Sequence, residues 1–204
     1  MPKIKICGLR TLEDIAVINE VQPDYVGFVF AESKRKISKN TARVLKEGLS
    51  QKILSVGVFV QEPIQNIVSL CNQGIIDLVQ HHGEESFDYI TELRSRINQP
   101  IIYARRLRTR EEAYLYDEYP VDYLLFDTYV QGVYGGSGRL INYRQIPKMN
   151  KPIILAGGLN AENVEEVLST IHPYCVDVSS GVETDGNKDG VKILEFIQKV
   201  RNLK

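Results

Sequence analysis

The sequence is short of the residues that build disulfide frameworks and metal centres. Its three cysteines are Cys7, Cys71 and Cys175. They are odd in number, widely spaced and without a Cys-x-x-Cys pair, so they predict neither a disulfide framework nor a zinc site. The three histidines are His81, His82 and His172. So small a set disfavours histidine-based metal chemistry, and we expect a protein without a metal site.

An excess of charge of one sign is also missing. The chain of 204 residues has 25 Lys+Arg against 26 Asp+Glu, a formal net charge of −1. Proteins that bind nucleic acid usually gather a basic excess on one face, so we expect no nucleic-acid partner. Hydrophobic residues at 43% and charged residues at 25% are ordinary globular values, which leave ample apolar area for a core.

Long apolar runs are absent as well. No run approaches the roughly 18 residues that a membrane helix needs. The segment from Met1 to Lys5 lacks the apolar stretch of about 7–15 residues that a signal peptide carries. We therefore expect a cytoplasmic protein that does not associate with membranes.

What the sequence does contain is a repeat of short β-branched runs and longer stretches of helical spacing. The eight predicted strands are Lys3–Cys7, Tyr25–Phe30, Leu54–Val60, Asp77–His81, Pro100–Ala104, Asp122–Asp127, Pro152–Ala156 and Cys175–Ser179. Their starts lie 22 to 30 residues apart, enough for a strand, a helix and two loops. The repeat predicts a single α/β domain over residues 1–204, a (β/α)₈ TIM barrel, with an open doubly wound sheet as the alternative.

Helix-capping signals between the predicted strands support the alternation of strands and helices. Thr11 to Asp14 resembles a capping box, and Ser38 precedes an amphipathic stretch that ends at Leu49. Asn160 is predicted to open a helix from Ala161 to Ile171. One long gap, from Thr128 to Asn142, is rich in glycine and predicts a mobile loop that covers the site.

Functional residues of this fold lie at the C-terminal ends of the strands. Cys7 ends the first strand and Asp127 ends the sixth, and a thiol and a carboxylate at one barrel mouth could act as base and acid. The structural alternatives are a core cysteine and a capping carboxylate.

Glycine turns follow the last two strands. Gly157 and Gly158 end the seventh strand, while Ser180 and Gly181 follow the eighth. Backbone N–H groups at such turns attract anions, so we predict a phosphate site there, with two plain tight turns as the alternative.

Strand alternation directs Lys5 into the barrel, where an unpaired ammonium would cost several kcal/mol. We therefore predict a polar cluster of Lys5, Asp177 and Gln80, with the Lys5 nitrogen within about 4 Å of a carboxylate. A Lys5 side chain that reaches solvent is the alternative. An ammonium near Cys7 would lower the pKa of the thiol.

These residues, in this order, resemble the phosphoribosylanthranilate isomerase family of tryptophan biosynthesis over essentially the whole chain. The matching segments include Lys5-Ile6-Cys7-Gly8, Ser33-Lys34-Arg35, Val79-Gln80-His81-His82-Gly83, Leu125-Phe126-Asp127-Thr128, Gly135-Gly136-Ser137-Gly138, Leu155-Ala156-Gly157-Gly158-Leu159 and Val176-Asp177-Val178-Ser179-Ser180-Gly181-Val182-Glu183. The resemblance implies a (β/α)₈ barrel that converts a phosphorylated aminoaldose into a ketose by an Amadori rearrangement, without cofactor or metal. It allows a monomer or a homodimer.

The resemblance also implies roles for single residues. Asp127 would be the general acid that opens the sugar ring, and Cys7 the general base that removes the C2 proton. Arg35 would bind the anthranilate carboxylate, a planar anion that suits a two-pronged guanidinium. The residues that would line the sugar and the polar floor are Gln80, His82 and Asp177, and those that would bind the phosphate are Gly157, Gly158, Ser180 and Gly181.

The chain departs from the family pattern at Lys34, His81, Tyr103, Ile141 and Tyr143. We expect these departures to affect loop packing and affinity more than chemistry. Two other interpretations remain: a non-catalytic sensor of phosphorylated ligands on the same barrel, and an isomerase for the related aminoaldose of histidine biosynthesis. The presence of both Cys7 and Asp127 argues against a sensor. The histidine-pathway enzyme typically ends its first strand in aspartate, where this chain has Cys7.

Overall fold

The fold is a closed barrel of eight parallel strands, which confirms the predicted (β/α)₈ architecture. The computed structural model describes residues 1–107, 109–127 and 146–203. The strands are β1 Lys3–Cys7, β2 Tyr25–Val29, β3 Leu54–Phe59, β4 Leu78–His81, β5 Ile101–Arg106, β6 Tyr123–Asp127, β7 Ile153–Ala156 and β8 Cys175–Val178. The largest difference from the predicted bounds is at the end of β5, which runs to Arg106 instead of Ala104.

Helices lie between the strands and after the last one. They are α1 Leu12–Val21, α2 Lys39–Gly48, α3 Ile64–Asn72, α4 Phe87–Arg96, α5 Arg110–Asp117, α6 Val164–Thr170 and α7 Gly190–Asn202. The capping box at Thr11 is confirmed, since Thr11 accepts from the N–H of Asp14 and the Asp14 side chain accepts from the N–H of Thr11. Ser38 caps α2 as predicted.

The predicted start of the sixth helix is wrong. Asn160 does not open a helix at Ala161, and α6 begins only at Val164. The Asn160 side chain instead accepts hydrogen bonds from the N–H groups of Glu162 and Asn163, at 2.9 and 3.1 Å. Those bonds cap a turn at residues 161–163 that leads into α6, and the N–H of Val164 donates to the Asn160 carbonyl oxygen at 3.1 Å.

Alternate residues of each strand face two different layers. Apolar residues such as Ile4, Ile6, Leu124 and Val176 pack against the helices in the main core. A second apolar cluster, which includes Leu78, Ile102, Leu125, Ile154 and Cys175, fills the interior of the barrel. The interior of the barrel is therefore filled with side chains and is not an open channel.

A small hairpin follows β8. A 3₁₀ turn at Ser180–Val182 leads into β9 Glu183–Thr184, which pairs antiparallel with β10 Asn187–Lys188. Asp185 and Gly186 between them have φ of 52° and 77°, the left-handed conformation typical of a tight hairpin turn. The hairpin brings Glu183 and Lys188 opposite one another.

The predicted covering loop, Thr128 to Asn142, and the departures Ile141 and Tyr143 lie outside the described residues. No helix in the described ranges is long and apolar enough to cross a membrane.

Candidate active site

A cavity of about 360 Å³ opens at the C-terminal ends of the strands. All the site residues predicted from the sequence line it: Cys7, Arg35, Gln80, His82, Asp127, Gly157, Gly158, Asp177, Ser180 and Gly181. They come from strands and loops spread over the whole chain, so only closure of the barrel brings them together. This location agrees with the rule that functional residues of the fold gather at this face.

Cys7 is the last residue of β1 and is 9% exposed. Burial raises the pKa of its thiol, while the ammonium groups of Lys5 and Lys188 act in the opposite direction. The predicted influence of Lys5 is thus present, but the expectation of a net lowered thiol pKa is wrong. Removal of the thiolate from water outweighs the attraction of the two cations.

Lys5 and Asp177 form the polar floor of the site. Lys5 Nζ donates to Asp177 Oδ2 at 2.7 Å, and the two side chains are 0% and 8% exposed. The prediction of a buried carboxylate partner for Lys5 is confirmed. The charge of Asp177 raises the pKa of Lys5 although burial opposes it, so the ammonium stays protonated.

Gln80 and His82 lie beside Asp127. The Gln80 amide Nε2 is 3.3 Å from His82 Nδ1, and His82 Nε2 is 3.5 Å from Asp127 Oδ2. Gln80 was expected to join the cluster of Lys5 and Asp177, but its hydrogen bond runs to His82. Its Oε1 has no hydrogen-bond partner within the described residues, which leaves a buried acceptor at the cavity wall.

Arg35 reaches the cavity from the loop after β2. Its Nε and Nη2 donate to the two carboxylate oxygens of Glu183, at 2.7 and 2.6 Å. Lys188 Nζ donates to the same carboxylate at 2.7 Å. Glu183 and Lys188 were not singled out by sequence reasoning. Two signals in the sequence could have pointed to them. One is the segment Val176 to Glu183, which resembles the family, and the other is Asp185-Gly186, a pair typical of a hairpin turn.

The turns after β7 and β8 approach each other closely. Gly157 and Gly158 have φ of 90° and 66°, a conformation that glycine adopts without steric cost. A Cβ at Gly181 would lie 1.9 Å from the carbonyl oxygen of Leu159, so only glycine allows the two backbones to pass. The hydrogen bonding of the 3₁₀ turn starts at the N–H of Val182, which leaves the N–H groups of Ser180 and Gly181 unused within that turn.

Two departures from the family pattern, His81 and Tyr103, lie on the helix side of the strands. His81 is buried between Phe59 and Tyr89, and its Nδ1 is 3.4 Å from Glu85 Oε1. Tyr103 is buried in the outer core and donates to the carbonyl oxygen of Glu85 at 2.7 Å. Lys34, in contrast, is an exposed loop residue whose carbonyl accepts from Arg10 at 3.0 Å. None of the three lines the cavity.

The described residues include no group of three or more His, Cys, Asp or Glu side chains placed to hold a metal ion.

The closed barrel, with a thiol and a carboxylate at the mouth, defines the class as a (β/α)₈-barrel enzyme. The family model for N-(5'-phosphoribosyl)anthranilate (PRA) isomerase matches residues 4–199. An N-(5'-phosphoribosyl)anthranilate isomerase of Endomicrobium trichonymphae is 48% identical over 204 residues, 100% of both chains. This chain therefore belongs to the N-(5'-phosphoribosyl)anthranilate isomerase family, and the resemblance inferred from the sequence is confirmed.

Solved structures agree with that assignment. Phosphoribosyl anthranilate isomerase from Thermotoga maritima superposes with a TM-score of 0.85 at 35% identity, covering 100% of each chain. A phosphoribosyl anthranilate isomerase in complex with reduced 1-(o-carboxyphenylamino)-1-deoxyribulose 5-phosphate superposes with a TM-score of 0.81 at 34% identity, again over 100% of each chain.

Proposed function

We propose that this chain isomerises N-(5'-phosphoribosyl)anthranilate to 1-(2-carboxyphenylamino)-1-deoxyribulose 5-phosphate, a step of tryptophan biosynthesis. The observation that carries the proposal is that Cys7 and Asp127, from opposite halves of the chain, line one cavity. Membership of the isomerase family supports the same reaction. We place this activity in the cytoplasm.

The first chemical step is ring opening. Protonated Asp127 gives its proton to the furanose ring oxygen, and the bond between C1 and that oxygen breaks to leave a protonated imine. His82, with Nε2 3.5 Å from the Asp127 carboxyl, is placed to bind the sugar next to this acid. A positioned acid of this kind contributes about 10²–10⁴ in rate.

The second step is removal of the C2 proton. The thiolate of Cys7 takes that proton, the electron pair forms the C1–C2 double bond, and the enolamine then tautomerises to the ketone. Burial raises the pKa of Cys7, and the charge of the Lys5 ammonium favours the thiolate by opposing that rise. The acid and the base therefore act in turn on neighbouring atoms of one substrate.

Both steps transfer protons only, so the reaction needs no electron carrier and no group donor. This balance supports an enzyme that works without a cofactor. The phosphate of the substrate is assigned to Gly157, Gly158, Ser180 and Gly181, where the two glycine turns meet. The anthranilate carboxylate is assigned to Arg35. The sugar is assigned to the part of the cavity between these two ends, which is lined by Gln80, His82 and Asp177.

The test is the decay of anthranilate-type fluorescence when the purified protein meets freshly generated substrate in the presence of a chelator. We expect decay well above the spontaneous rate, with the ketose product identified by mass and chromatography. Cys7→Ala should abolish this decay while retaining binding. Saturable binding by the unmodified protein without decay would indicate a sensor instead, and turnover of only the histidine-pathway aminoaldose would change the substrate.

A further inference from the structure

Three loops hold the side chain of Arg35. Its backbone N–H donates to Ser33 Oγ at 3.1 Å, within the loop after β2. Its stem crosses Gly8 after β1 so closely that a Cβ on Gly8 would lie 2.4 Å from Arg35 Cδ. Its guanidinium reaches Glu183 beyond β8 and makes two parallel hydrogen bonds. The position of the guanidinium is therefore fixed at its base, its stem and its tip.

Glu183 is in turn held by Lys188. Their side chains are 7% and 2% exposed, and Lys188 Nζ lies 2.7 Å from Glu183 Oε1. Lys188 also donates to the carbonyl oxygen of Ser179 at 3.0 Å, which ties the cluster to the end of β8. Because both residues are paired across the hairpin of β9 and β10, the backbone fixes the direction of the carboxylate.

The cluster of Arg35, Glu183 and Lys188 keeps a positive charge. Burial raises the pKa of Glu183, but hydrogen bonds from Arg35 and Lys188 outweigh it and hold that pKa below its ordinary value. Two cations around one carboxylate leave a net charge of +1. Glu183 can therefore fix Arg35 without making the cluster neutral, which preserves its attraction for an anion.

The two carboxylate oxygens of Glu183 accept hydrogen bonds from Nε and Nη2 of Arg35, and this paired contact fixes the plane of the guanidinium. A donor held in its binding orientation loses less conformational freedom when a planar carboxylate docks. We propose that Glu183 is a positioning residue for Arg35, anchored by Lys188, and that this cluster gives the site its selectivity for a carboxylate on the aromatic ring of the substrate. The inference rests on the proposed function, in which Arg35 binds that carboxylate.

Two physical effects of Glu183 predict opposite results. If Glu183 only reduced the local positive charge, its neutral replacement would tighten the binding of a carboxylate. If Glu183 positions Arg35, the same replacement weakens that binding even though the cluster becomes more positive. The sign of the change therefore separates positioning from charge.

The experiment compares two ligands. One is the reduced product analogue, reduced 1-(o-carboxyphenylamino)-1-deoxyribulose 5-phosphate, and the other is the same molecule without its carboxyl group. Their dissociation constants are measured by calorimetry for the unmodified protein, Glu183→Gln and the double variant Glu183→Gln/Lys188→Met. The double variant keeps the cluster at +1 and removes the buried cation together with its anion, so it protects both folding and net charge.

The matched control is Glu32→Gln. Glu32 lines the same cavity, but it is exposed and pairs with Lys36 and not with Arg35. This control removes one negative charge near the site without touching the cluster.

We expect both Glu183 variants to bind the carboxylated analogue about tenfold to a hundredfold more weakly, because a misplaced binding group costs up to about that much. Binding of the carboxyl-free analogue should change less than about threefold. KM should rise in the same proportion while kcat changes little, and Glu32→Gln should bind the carboxylated analogue at least as tightly as the unmodified protein.

Unchanged or tighter binding of the carboxylated analogue by the double variant would overturn the proposal. Equal weakening of both ligands would overturn it too, because it would mean that Glu183 only supports the fold. A distinct result is an unmodified protein that binds both analogues equally well. That result would remove the assignment of Arg35 to the carboxylate, and the inference with it, but would leave the isomerase activity standing.

Discussion

Lys5 on β1 and Asp177 on β8 are direct neighbours in the parallel register that closes the barrel, and their side chains form a buried ion pair 2.7 Å long. The pair lies beneath the thiol of Cys7, at the seam between the first and last strands. It therefore links the closure of the fold to the electrostatics of the site.

The first prediction concerns the stability of this seam. Lys5→Met should lower the free energy of unfolding by about 3–5 kcal/mol, because it leaves the Asp177 carboxylate buried and unpaired. The double variant Lys5→Met/Asp177→Asn should recover part of this loss, since no uncompensated charge remains. Urea unfolding followed by circular dichroism measures both.

The matched control lies two residues earlier on the same strand. Lys3 pairs with Asp24 at the same distance, 2.7 Å, but its side chain is 50% exposed. Lys3→Met should cost no more than about 1 kcal/mol, the usual range for surface pairs. Equal costs for Lys5→Met and Lys3→Met would show that burial of the Lys5 pair has no energetic consequence.

A second prediction follows from the raised pKa of Cys7. The proposed active form has Cys7 as thiolate and Asp127 as acid. This form carries one proton, which can lie on either Cys7 or Asp127. When the pH rises through the pKa of the thiol, the protein loses that proton, Asp127 can no longer be protonated, and kcat/KM falls. We expect this alkaline limb above the ordinary thiol pKa of about 8.5.

The midpoint of Cys7 alkylation by iodoacetamide should coincide with that limb, because alkylation needs the thiolate. Cys71 is the control: it is buried on α3, outside the cavity, and burial raises its pKa to about 11. Cys71→Ala should leave the limb unchanged. A limb well below pH 8 would mean that a group other than Cys7 controls the reaction.

Much of this architecture was predictable because its signals are local. Eight strands with regular spacing favoured the barrel over an open sheet, and the rule that functional residues lie at strand ends selected residues that all line one cavity. The strand bounds were nearly correct because each strand is a short apolar run that ends in polar or glycine residues. Asn160 was misread because a side-chain turn and a helix cap use the same residue type.

Other features depend on three-dimensional burial and could not be predicted. The sign of the pKa shift of Cys7 is set by a competition between desolvation and two cations, one of which, Lys188, is 181 residues away in the chain. The contact of Arg35 with Glu183 joins the loop after β2 to the hairpin after β8. No periodic pattern encodes such a pairing of charged side chains.

A third prediction concerns the general acid. Asp127→Asn should lower kcat by at least about 10², the usual effect of losing a positioned acid, with little change in the affinity for the reduced product analogue. The control is Asp122→Asn, just before the other end of the same strand, where Asp122 pairs with Arg94. It should leave kcat within about threefold. A nearly normal kcat for Asp127→Asn would contradict the assignment.

The last prediction concerns the two glycine turns. A Cβ at Gly181 would lie 1.9 Å from the carbonyl oxygen of Leu159 and 3.0 Å from Asn160 Cβ. Because the nearest atom is backbone, Gly181→Ala must push the turns after β7 and β8 apart. We expect it to weaken the binding of phosphate-bearing analogues at least about tenfold, because the N–H donors of both turns would no longer converge. Calorimetry with the carboxyl-free analogue isolates this effect.

Gly74→Ala is the control for backbone strain. Gly74 has φ of 65° and open space around its Cβ position, and it lies in the turn after α3, outside the cavity. Its replacement should cost about 1–2 kcal/mol of stability, the usual penalty for a left-handed residue with a Cβ, and leave phosphate affinity unchanged. If Gly181→Ala lost stability but kept full affinity, the phosphate would have to bind elsewhere, because the steric conflict at Leu159 cannot be relieved without moving the turns.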